Sequence, residues 1–184
     1  LVSHSFGGAY IRSFASMYPE EIAGLVFVDP IDFTKKKGDG DLPYLEIGLT
    51  QHQIDSIFGK PYDNFIEKLY EEMPGFYVEE VKISRQLTKT EFAVCDRNPL
   101  PDVPVHFIKA GGFSDSAPPT IYDREKMWRI NSNIQMKRWL ELLYPLKYGK
   151  LFYCSNSSHF VQTDEPNLVI SSIKLALKDY DKIK

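Results

Sequence analysis

Ser5 stands within Ser3-His4-Ser5-Phe6-Gly7-Gly8, and its neighbours matter as much as its hydroxyl. A serine oxygen becomes a nucleophile where a sharp strand-to-helix turn exposes it, beside a base and close to a helix N-terminus. Such a turn needs small residues two before and two after its centre, because strand and helix backbones approach closely there and the central residue is strained. Ser3 and Gly7 meet that need. The Phe6 backbone N–H would then face the oxyanion of a tetrahedral intermediate. Taken alone, the six residues also fit a plain tight turn or part of a phosphate-binding loop. A base is therefore the next requirement. Histidine suits neutral pH, and His159 offers one in the polar loop Ser155-Asn156-Ser157-Ser158-His159-Phe160. The alternative for His159 is an ordinary surface position.

The elements that must hold these residues follow from periodicity. Residues 6 to 18 place Tyr10, Phe14 and Met17 on one stripe and Ile11, Ala15 and Tyr18 on the next, which predicts a largely buried helix closed by Pro19. Leu25 to Val28 is a short, continuously apolar run ending at Asp29 and Pro30, as a strand buried on both faces should. The β pattern resumes at Val103 to Lys109, closed by Gly111 and Gly112, and Leu151 to Cys154 is expected as a third buried strand. A long helix is expected from about 123 to 143, with Asp123 as N-cap and Met127, Ile130 and Ile134 facing inward. A last helix starts near Asp164, with Pro166 in its first turn and Val169, Ile173 and Leu177 as its apolar stripe. Strands alternating with helices predict an α/β fold with a parallel sheet and flanking helices. Functional groups then gather beyond the carboxyl ends of the strands, where residues 3 to 8, 29 to 32, 110 to 116 and 155 to 160 all fall.

Residues 33–100 interrupt the alternation. They are rich in charge and aromatics, with helices expected around 49 to 58, 62 to 73 and 75 to 88. At 184 residues the chain has the length of one domain, and 22 basic against 25 acidic residues leave a net charge of −3 with no long run of like sign. Nucleic acid is not an expected partner. Cys95 and Cys154 are widely separated and read as small buried hydrophobes, and no histidine or carboxylate pair has metal-ligand spacing, so neither metal nor cofactor is expected. No apolar run is long enough to span a bilayer, and localisation is left at a cytoplasmic default.

The elbow motif, and the segment from His159 through Val161-Gln162-Thr163-Asp164-Glu165-Pro166, resemble the α/β-hydrolase superfamily, with Ser3 in place of the first glycine of G-x-S-x-G. The resemblance runs from the elbow onward. It implies a partial hydrolase core over residues 1–32 and 101–184 and a helical cap, or lid, over residues 33–100. It also implies the chain order Ser, Asp, His, which makes Asp115 the expected acid beside Ser5 and His159. Asp29, directly after the earlier strand, is the alternative, because some members place their acid there. Asp32 and Asp123 rank behind both. His4, at the variable elbow position, His52, on a cap helix, and His106, within a strand, are given no catalytic role. Cap residues Ile54, Phe58, Phe65, Leu69, Tyr70, Phe76 and Tyr77 are candidates to line the substrate pocket.

The superfamily also has strands before the elbow and a second oxyanion donor on one of their loops, neither of which has a counterpart in this sequence. The expectation is a fragment of a longer enzyme, weakly active or inactive as it stands, or a chain completed by self-association through its exposed sheet edge. The implied activity is a serine hydrolase acting on a small-molecule ester or related acyl substrate through an acyl-enzyme. The alternatives are a catalytically silent hydrolase-like binding protein, or a peptidase, lactonase, haloperoxidase or acyltransferase on the same fold.

Overall fold

The computed structural model of the chain describes residues 1–59, 66–68, 70–95, 99–115 and 120–183. Four parallel strands form one sheet in chain order: β1 (Val2–His4), β2 (Leu25–Val28), β3 (Val105–Ala110) and β4 (Gly149–Cys154). His4 pairs with Val28, Val28 with Ile108, and Ala110 with Cys154, so the carboxyl ends lie nearly level. The two central strands are wholly buried, β2 as its unbroken apolar run requires and β3 with His106 and Lys109 enclosed as well.

Side chains alternate between the two faces of the sheet. Leu25, Phe27, Val105 and Phe107 point to one face, covered by α1 (Gly7–Met17) through Ala9 and Ala15. The same face meets Trp139 and Leu143 of α5 (Arg124–Leu143). Val26, Val28, Ile108 and Ala110 point to the other face, where Val169 and Ala176 of α7 (Pro166–Tyr180) pack. On the first face an aromatic stack forms the centre of the core: Trp139 lies 4.8 Å from Phe107 and Phe107 lies 4.7 Å from Phe27, both nearly parallel, with Phe33 5.3 Å from Phe27. The α/β class, the parallel sheet and the flanking helices are thus as the sequence predicts.

The helix faces differ from prediction. In α1, Tyr10 and Met17 are 64% and 60% exposed, while Gly8, Ala9, Arg12, Ala15 and Ser16 face inward. The helix runs too close to the sheet for aromatics to fit beneath it. In α5 the inner stripe is Ser132, Gln135, Trp139 and Leu143, and Met127, Ile130 and Ile134 are only half-buried. In α7 Leu177 is exposed, and Ser172, Ala176 and Asp179 take the inner positions beside Val169. Two of these polar residues are there because they have partners: His106 Nδ1 bonds Ser172 Oγ at 2.9 Å, and Lys150 and Lys182 flank Asp179.

Between β2 and β3 lie α2 (Leu42–Glu46), α3 (Gln51–Phe58) and α4 (Gly75–Lys89). Thr50 and Gln53 close α3 with a reciprocal capping box. Of the helix expected at 62 to 73, residues 66–68 and 70–72 are helical, while 62–65 and 69 lie outside the described residues. Phe33, Phe92, Cys95 and Leu100 join the core of the first face, so both ends of the inserted segment belong to the sheet packing. Cys95 and Cys154 are free and buried. The short helix α6 (Val161–Asp164) leads into α7, and among the described residues no helix is long and apolar enough to cross a membrane.

Phe107→Ala is expected to cost about 3–5 kcal/mol by opening the centre of the stack. Met17→Ala, on the outer face of α1, should stay within about 0.5 kcal/mol. Urea unfolding of the two variants checks both the core and the orientation of α1.

Candidate active site

Ser5 begins where β1 stops. Its N–H donates to the Val28 carbonyl at 3.1 Å, and its own carbonyl accepts from Gly8 at 3.0 Å and Ile31 at 2.9 Å, binding the turn to the end of β2. The Ser5 backbone is left-handed, with φ 54°, a strained setting for a residue with a side chain. The glycines explain how the turn closes: a Cβ on Gly7 would lie 3.2 Å from Ser3 Cβ, and one on Gly8 only 2.5 Å from Pro30 Cβ. Phe6 caps α1 with its backbone alone. Its N–H has no acceptor among the described residues and sits at the positive end of the helix.

His159 reaches this turn from the loop after β4. Its Nε2 lies 2.8 Å from Ser5 Oγ, and its Nδ1 lies 2.7 Å from Asp29 Oδ2. A carboxylate can only accept, so Nδ1 carries the proton and Nε2 is left to accept from the serine hydroxyl. Three contacts hold the loop. Gly112 N–H donates to the Ser157 carbonyl at 2.8 Å, in a gap where a Cβ on Gly112 would meet that oxygen at 2.7 Å. Asp164 Oδ2 accepts from the Ser158 N–H at 2.7 Å and from its hydroxyl at 2.6 Å. His4 donates from Nε2 to the His159 carbonyl at 2.8 Å, its ring 4.5 Å from the His159 ring.

Asp29 follows β2 directly, also with a left-handed backbone at φ 37°. It is buried, and its carboxylate accepts from three donors: His159 Nδ1, Lys109 Nζ at 2.9 Å and Ala110 N–H at 3.1 Å. Burial pushes its pKa up, but the His159 hydrogen bond, the Lys109 charge and hydrogen bond, and the Ala110 N–H together outweigh it and hold the carboxyl below the usual aspartate range.

Asp115, expected beside His159, is elsewhere. It is 62% exposed on its side chain and pairs with Arg124, and both nitrogens of His159 are already occupied by Ser5 and Asp29. The alternative, Asp29, makes that contact. Asp32 pairs with Arg138, and Asp123 caps α5 by accepting from the Lys126 N–H at 2.9 Å. His4 and Lys109 were not foreseen at the site. A lysine inside an otherwise apolar strand was the available signal for Lys109, whereas His4 carried none beyond adjacency to Ser5.

A cleft of about 520 Å³ opens over Ser5, Asp29 and His159, walled by Ile31, Ile66 and, from α4, Glu80, Val81, Ser84 and Arg85. A second cleft of about 580 Å³ meets Ser5 from the other side of α4, with Phe76 and Ile83 on its wall. Of the proposed pocket residues, Phe76 lines this second cleft; Ile54 is buried, Phe58 packs on Tyr44, Tyr70 lies beneath Lys82, and Tyr77 lies against Phe76 with the rings tilted. Phe65 and Leu69 lie outside the described residues.

No protein-family model matches the chain, and no curated protein does. Among solved structures the chain is similar to one described as a probable hydrolytic enzyme from Pseudomonas aeruginosa PAO1, with 17% identity and a TM-score of 0.48 over 96% of this chain and 62% of that one. The chain thus spans less than two thirds of that structure's length.

Because the Asp29 pKa is lower folded than unfolded, its ionised form contributes stability that is fully present above the ordinary aspartate range and is lost as pH falls through the folded value. Asp29→Asn leaves Lys109 buried and unpaired, and should cost about 3–5 kcal/mol at neutral pH. The gap to the parent should close as pH falls below the ordinary aspartate range, as read by urea midpoints across the pH range.

Proposed function

We propose that this chain carries the nucleophile, base and acid of an α/β-hydrolase-type serine hydrolase, with Ser5, His159 and Asp29 in those roles and a carboxylic ester or related acyl compound as substrate. The observation that carries this reading is the unbroken chain of hydrogen bonds from Ser5 Oγ through His159 to Asp29.

Ser5 Oγ attacks the substrate carbonyl carbon as its proton passes to His159 Nε2. Asp29 keeps the imidazole in the required tautomer and stabilises the imidazolium that forms. The carbonyl oxygen becomes an oxyanion and takes the Phe6 N–H as a donor, aided by the positive end of α1. Collapse of the tetrahedral intermediate expels the alcohol, which leaves with the proton held by His159. Water, deprotonated by His159, then releases the acid from Ser5. In this reading residues 33–100 are a cap: α4 divides the approach to Ser5 into two clefts, one for the acyl part and one for the leaving group. Hydrolases of this fold differ in leaving group and acceptor, so the ester is the working choice of substrate.

The test uses a fluorophosphonate probe and a short-chain p-nitrophenyl ester on the full-length protein. Labelling should occur on Ser5, vanish in Ser5→Ala and fall sharply in His159→Ala. Asp29→Asn should lower kcat on the order of 10³–10⁴-fold, while Asp115→Asn leaves it essentially unchanged. Absence of a Ser5 adduct, or the reverse ranking of the two aspartates, overturns the assignment.

A further inference from the structure

We propose that Lys109 is a positioning residue of this site, acting through Asp29 to hold His159 in line with Ser5. The inference rests on the hydrolase reading above and extends it to a group outside the Ser5, His159 and Asp29 chain.

Lys109 is the penultimate residue of β3, and strand alternation sends it to the face occupied by Val105 and Phe107. A lysine there, 7% exposed, loses nearly all its hydration, a cost that nothing in the packing of the sheet requires. Methionine or leucine would fill the same strand position without it. What the ammonium obtains is Asp29 Oδ1 at 2.9 Å, with the Trp128 ring of α5 5.8 Å away on its other side. Asp29 divides its two oxygens accordingly: Oδ1 takes Lys109 and the Ala110 N–H, and Oδ2 is left for His159. A carboxylate so held cannot rotate about its last bond. Without Lys109, one backbone N–H would fix Oδ1, and a buried carboxyl would lose the cation that offsets its desolvation.

Other titratable groups surround the site. Glu80 and Arg85 of α4 line the cleft that Asp29, Lys109 and His159 share, and His4 of β1 lies against the His159 ring. At the end of β4, burial, then the Glu165 charge and last the Asp29 charge push the Cys154 thiol pKa up.

Lys109→Met keeps the stem and removes the ammonium. The expected result is a fall in kcat on the order of 10²-fold with KM little changed, since the substrate cleft keeps its walls. The acid limb of kcat/KM should move to higher pH, because a positive charge that opposes protonation of the Asp29–His159 pair has been removed. In an Asp29→Asn background, Lys109→Met should cause no further loss, and the double variant, with neither charge, remains available should the single one fail to fold. Unchanged kcat and acid limb in Lys109→Met, or an additional loss of the same size in the Asp29→Asn background, would overturn the proposal. Failure of the parent to label on Ser5 would instead overturn the hydrolase reading, which keeps the two failures apart.

Discussion

The Asp29 carboxylate is the point on which the carboxyl edge of the sheet converges. A buried carboxylate has to find donors, and this one finds them on β3 and on the loop after β4, while its own backbone closes β2. Through His159 the same group reaches Ser5 at the end of β1. All four strand ends are therefore tied to one anionic group. The level register of the parallel ladder makes this geometrically feasible: a slip of one residue in any strand would turn its side chains to the opposite face.

The rest of the structure serves that register. The stack of Trp139, Phe107 and Phe27 sets the separation of α5 from the sheet, and the glycines of the elbow set that of α1. The two approaches differ, one filled by large rings and the other nearly backbone on backbone. Together they orient α1 so that its N-terminus meets the end of β1. The helix α4, in contrast, contributes to the cleft walls a mixture of charged and apolar side chains, Glu80 and Arg85 beside Phe76 and Ile83.

How much of this could be read beforehand depended on whether the signal was local. The strand runs, the elbow and the loop bearing His159 were readable because each is a demand of contiguous backbone: apolar continuity for burial on both faces, small residues for a tight turn. The carboxylate partner of His159 was not, because Asp29 and Asp115 both follow a strand and the choice depends on how two loops travel in space. Asp115 meets Arg124, nine residues on, before it can meet His159. The helix faces were misread for a related reason. Periodicity counted Tyr10, Met17 and Leu177 as core because they are large and apolar, yet where a helix lies close against a sheet the inner positions go to Ala9, Ala15 and Ala176. Lys109 went unread because a single charge in a strand looks like an edge or an end, and its partner lies 80 residues away.

The left-handed backbone at Ser5 and Asp29 has an evolutionary corollary. Both positions would be easier for glycine, and each residue that keeps its side chain there forfeits of order 1–3 kcal/mol of stability. Drift governed by folding alone would erode Ser5 early, since glycine there relieves the backbone, whereas at Asp29 the pairing with buried Lys109 opposes the same replacement. The two strained positions therefore differ in kind: the carboxyl of Asp29 is held by a buried ion pair, while the hydroxyl of Ser5 returns little to the fold for the backbone it strains.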